Sequence, residues 1–119
     1  MRAGRSTCGL LGLACLSLAL ASAPTASRAG ETADETLRTL YRIAISAEIC
    51  GFPIAHRQAD ALGKAMNRAL SESGLDADAA DQLYRDVDSG LASEGWETVC
   101  EANGTWARTY RSLLAANTK

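Results

Sequence analysis

Histidine and proline are scarce in this chain, which holds one His, two Pro and one Phe. A zinc site needs three or four ligands at recognisable spacing. With His56 as the only histidine, no such set can be assembled around imidazoles. No two cysteines stand two residues apart, so the redox CxxC arrangement is absent. A glycine-rich phosphate loop and a nucleophile elbow are absent too. No segment alternates apolar and polar residues long enough to form a strand. These gaps argue against an enzyme, and no cofactor motif is present.

A long apolar run occurs once, near the start. Arg2 and Arg5 precede a largely apolar stretch from Cys8 to Ala21, and small residues follow. That is the three-part layout of a secretory signal peptide. The run is about 14 residues, whereas a membrane-spanning helix needs about 20. Ala21-Ser22-Ala23 would place Pro24 directly after the cut, which suits a signal peptidase poorly. Ser27-Arg28-Ala29 before Gly30 suits it better. Residues 1–29 are therefore read as a cleaved signal and residues 30–119 as one domain. Cys15 invites a lipoprotein reading, but Gly12 stands where that signal wants a branched apolar residue, and the apolar run continues to Leu20. The expected location is the periplasm or exterior of a bacterium, with no stable membrane anchor after cleavage.

Cleavage changes the charge. The whole chain has 12 Lys+Arg and 14 Asp+Glu, and the signal removes Arg2, Arg5 and Arg28 but no acid, leaving 9 against 14, or −5. An acidic domain this small is a poor ligand for nucleic acid or an anionic membrane, both of which select basic patches. The partner to expect is another protein.

Cleavage also reduces four cysteines to two, Cys50 and Cys100. In an oxidising compartment the simplest outcome is one disulfide. Closing a loop 50 positions wide contributes on the order of 4 kcal/mol. That is close to the whole stability of a small domain.

The remaining pattern is helical. Thr32-Ala-Asp-Glu35 reads as a capping box opening a first helix. Leu37, Leu40, Tyr41, Ala44, Ala47 and Cys50 form its inward stripe, and Gly51-Phe52-Pro53 ends it. A second helix is expected from Ile54 or Ala55 to Glu72, with Leu62, Met66 and Ala69 inward and Gly74 as a left-handed stop. A third runs from Asp76 or Ala77 to Ser89, with Ala80, Leu83, Tyr84 and Val87 expected inward and an acidic first turn matching the helix dipole. Gly90 and Gly95 mark a break, and a fourth helix is expected from Glu94 to Ala116. The fold class is all-α, a small bundle of three to four helices stapled by one disulfide.

Several candidate sites can be weighed. His56 lies six residues after Cys50, but no protease signature accompanies the pair, so it reads as a surface residue of helix two. Asp86 to Glu97 puts acids at positions one, three and twelve of an EF-hand loop. Gly90 and Leu91 at positions five and six break that pattern, so no metal site is assigned. Asn103-Gly104-Thr105 matches a glycosylation triplet, but falls inside the expected fourth helix of a chain with a bacterial-looking signal. Trp96, Trp106 and Tyr110 fall on neighbouring parts of one face. Core packing is their first reading, and a partner surface lined by those three rings is the second.

The layout of signal, short helical domain and one wide disulfide is similar to that of periplasmic acid-stress chaperones. The resemblance is one of architecture and carries no site residue. It implies a stress chaperone as the alternative to a non-catalytic, protein-binding accessory module.

Overall fold

The computed structural model describes residues 25–119, with side chains from residue 32. Most of the expected signal segment lies outside the described residues. Among them there are five helices and no strand: α1 (Thr25–Cys50), α2 (His56–Ser73), α3 (Ala77–Glu94), α4 (Trp96–Val99) and α5 (Thr105–Asn117). None of these helices is long and apolar enough to cross a membrane.

The first helix starts earlier than its capping box suggests. Thr32 lies inside α1, because the preceding Thr25–Glu31 segment, which has two alanines and no proline, carries the helix backward. At its other end Cys50 is the last residue and Gly51 to Ala55 form the turn. Helix α2 opens with Gln58 accepting a hydrogen bond from the Ala55 N–H at 3.0 Å. It stops at Gly74, whose φ of 71° is the left-handed conformation that a side chain would strain. Asp76 then caps α3, its carboxylate accepting from the Ala79 N–H at 2.8 Å.

Two boundaries differ from expectation. Gly90 does not break α3, which continues to Glu94 and turns at Gly95. The expected fourth helix is two pieces, α4 and α5, separated by residues 100–104. Gly104 explains the second break. A Cβ at this position would sit 3.0 Å from the Glu101 Cβ and 3.2 Å from its carbonyl oxygen. The backbone folds back onto Glu101 there, and a larger residue would force Glu101 to shift by a few tenths of an ångström. Asn103 is consequently an exposed turn residue and lies outside any helix.

Helix α1 is the axis of the domain and touches each of the other four. Helix α2 runs back along it, with Leu62 and Ala59 near Ala44 and Ala47, and Ala69 near Leu40. Helix α3 runs forward again, from Ala79 near Asp34 to Leu91 packed with Ile45. Helix α5 returns, from Trp106 at Ser46 to Ala116 near Thr36. This central position explains why α1 has more than a stripe buried. Ile43, Ile45 and Ser46 are fully covered alongside the expected Leu37 and Leu40.

Two apolar clusters result. The larger joins Leu37, Leu40 and Ile43 to Leu62, Ala65 and Ala69 of α2, Leu83 of α3, and Tyr110 and Leu114 of α5. The smaller has three buried residues, Ile45, Leu91 and Val99, with Cys50, Val87, Trp96 and Trp106 packed against it.

Candidate functional site

Cys50 and Cys100 are bonded, with their Cα atoms 5.0 Å apart. Cys100 caps α4 and Cys50 closes α1, so the bond fixes the irregular 100–104 turn to the corner where α1 ends. A bonded Cys50 has no thiol to act as nucleophile or ligand. His56 stands exposed at the start of α2. Asp86 to Glu94 of the EF-like window is helical, which rules out a calcium loop there. Among the described residues no three His, Cys, Asp or Glu side chains converge as a metal site.

The three aromatic candidates separate. Tyr110 is 1% exposed, its ring 5.0 Å from Phe52 and its hydroxyl donating to the Pro53 carbonyl at 3.2 Å. Burial pushes its phenol above the ordinary 10.0. Trp96 is half-buried against the smaller cluster. Trp106 is the centre of a polar clamp. Its indole N–H donates to Ser46 Oγ at 2.7 Å, and Ser46 donates in turn to the Arg42 carbonyl at 2.7 Å. The Arg42 guanidinium lies 4.2 Å from the centre of the indole ring and donates to Glu94 at 3.0 Å. Helices α1, α3 and α5 are thus tied by one chain of contacts beside the disulfide.

This clamp borders a cleft of about 410 Å³, also lined by Thr98, Glu101, Thr105 and Thr109. Glu94 pairs with Arg42 and the ring covers it, so the cleft's one cation is already engaged by the protein itself. We read the clamp as structural.

A second opening has a different character. A groove of about 360 Å³ is floored by Ala44, Ala47 and Glu48 of α1 and walled by Ile54, Ala59, Leu62 and Met66. Helix α3 also packs on α1, outside the lining of this groove. There Tyr84, expected inward from helical spacing, is instead 39% exposed, at the edge of the α1–α3 contact where it packs edge-on against Tyr41 with ring centres 5.3 Å apart. Burial raises the Tyr84 phenol, and the Glu48 and Asp88 carboxylates raise it further. Tyr41 is raised by burial, then by Asp81 and Tyr84. The Tyr41–Tyr84 pair is therefore set in the negative potential of nearby carboxylates.

That potential is part of a wider segregation. Residues 69–107 carry nine Asp and Glu against one cation, Arg85, whereas residues 108–119 carry three cations and no acid. Counting charge by segment would reveal this from the sequence. The groove itself carries no local sequence signal, because it is the space left where two helices part. No protein-family model, curated protein or solved structure matches the chain.

Proposed function

We propose that the chain is a small exported, non-catalytic helical module of the bacterial periplasm that binds another protein as an accessory subunit. The supporting observation is the groove beside α2. Its lining is apolar apart from Glu48, and its volume of about 360 Å³ lies in the range of about 300–1,000 Å³ typical of binding pockets. A photo-crosslinking residue at Ala59, exposed on the groove wall, tests the reading in the exporting cell. A discrete polypeptide adduct from position 59 and none from Arg111, exposed on α5, is the expected result. Equal labelling from both positions, or none from either, would contradict it.

The charge segregation favours one alternative, an acid-stress chaperone. At about pH 2 the carboxylates of residues 69–107 are neutralised and the domain becomes purely cationic, a condition that loosens packing in many proteins. Loss of the near-UV circular dichroism at that pH, with suppression of client aggregation, is what this alternative requires. A fixed spectrum and an unprotected client would eliminate it.

A further inference from the structure

We propose that Asn103 is a site of intramolecular deamidation that the Cys50–Cys100 bond holds shut, so that loss of the bond starts an irreversible change in the turn between α4 and α5. Asn103 is the one asparagine followed by glycine, whereas Asn67 and Asn117 lie in α2 and α5 and precede Arg68 and Thr118. The reaction needs the backbone nitrogen of the next residue to reach the asparagine side chain, and glycine has no Cβ to block that approach. Asn103 is exposed in the turn, where water and solvent base reach it. The step balances without an enzyme or an oxidant. The Gly104 nitrogen gives its proton to a solvent base and bonds to Asn103 Cγ, the Cγ–Nδ2 bond breaks, and Nδ2 takes up a proton and leaves as ammonia. Water then opens the succinimide at either carbonyl, leaving aspartate or isoaspartate at position 103.

The folded turn denies the nitrogen that freedom. The Gly104 N–H donates to the Glu101 carbonyl at 3.0 Å, and the Gly104 carbonyl accepts from the Arg108 N–H at 3.2 Å. Gly104 is thus held at both its nitrogen and its carbonyl, and attack on Asn103 requires the first of these bonds to break. The acceptor, Glu101, directly follows Cys100, which the disulfide anchors to the end of α1. No residue from 100 to 104 is buried, so apolar packing does not secure the turn in its place. A dithiol reductant, itself oxidised to a disulfide, converts the bond to two thiols and releases the turn. Reaction then adds a carboxylate to a segment already acidic at Glu97 and Glu101. Isoaspartate also lengthens the backbone before Gly104, so a chain that has reacted cannot restore the turn by re-forming its disulfide.

Peptide mapping by mass spectrometry follows the conversion in protein incubated at mildly alkaline pH. After reduction, or in the Cys50→Ala/Cys100→Ala double variant, Asn103 should convert at least about tenfold faster than in the oxidised protein, while Asn67 stays intact in both. Leu40→Ala weakens the fold elsewhere with the bond in place, and should accelerate Asn103 by less than about twofold. Adding Gly104→Ala to the double variant should slow the conversion at least about tenfold by crowding the attacking nitrogen. Far-UV circular dichroism should show that the reduced protein keeps its helices. Equal rates with and without the bond, an oxidised rate as fast as that in urea, or equal acceleration by Leu40→Ala would overturn the proposal. So would complete unfolding on reduction, which would make the protection a property of the whole fold, or a rate indifferent to Gly104→Ala, which would mean direct hydrolysis of the amide.

Discussion

The two apolar clusters are held by different means. Around Leu37, Leu40 and Tyr110, four helices contribute nine buried residues, and packed area carries the stability. Around Ile45, Leu91 and Val99 only three residues are buried. There the disulfide, the Arg42–Glu94 pair and the Trp106–Ser46 hydrogen bond crowd into the same corner. Where apolar area is small, covalent and polar links compensate. A domain of this size has little area to spare. The groove is flanked by α1 and α2, whose buried residues belong to the larger cluster, although Ala47, Glu48 and Ile54 in its lining lie close in sequence to the bonded Cys50.

The sharpest way to break this contrast is at the cysteines. Cys50→Ala should lower the unfolding free energy in urea by about 4 kcal/mol, and Cys100→Ala by the same amount. The double variant should lose no more than either single one. Leu40→Ala, in the larger cluster, should cost about 3 kcal/mol through lost burial and the cavity left behind. Its effect should be the same in oxidised and reduced protein, because its neighbours lie away from the bond. Ser46→Ala strips the Trp106 N–H of its acceptor and should cost about 2 kcal/mol. A double-mutant cycle with Trp106→Phe should return most of that as coupling. Glu94→Gln should cost under about 1 kcal/mol and less at high salt, since the Arg42–Glu94 pair is still partly open to solvent.

The tyrosines give the smallest and most specific signature. All three phenols are held above 10.0 in the folded state, chiefly by burial. The fold therefore binds these protons more tightly than the unfolded chain does. Their contribution to stability is complete below pH 10 and is lost as pH rises through the folded values. A titration at the phenolate absorption band should show all three ionising above 10.0 when folded and reverting on unfolding. A phenol at its ordinary value in the folded protein would contradict the burial of these rings.

Much of the large cluster is legible in the sequence. Leu37, Leu40, Leu62 and Ala69 recur at helical spacing, and the pairing of Cys50 with Cys100 follows once the other two cysteines fall in the expected signal. The smaller cluster is harder to read. Val99, Cys100, Trp106, Ala107 and Tyr110 keep a helix-like spacing across a turn that is not helical. The break is set by Gly104 meeting Glu101, a contact periodicity does not register. Ile43, Ile45 and Ser46 escape a one-stripe reading because α1 is covered from several sides. The clamp is equally hidden, since nothing in local spacing says that Ser46 will face Trp106 from 60 residues away.

Native-state hydrogen exchange on the domain before and after reduction compares the two clusters directly. On reduction, amides of α4, the 100–104 turn and the first turn of α5 should lose protection, while those of α1 around Leu40 and α2 around Ala65 keep most of theirs. Uniform loss across α1, α2 and α5 would contradict the division of the fold into a part held by area and a part held by links.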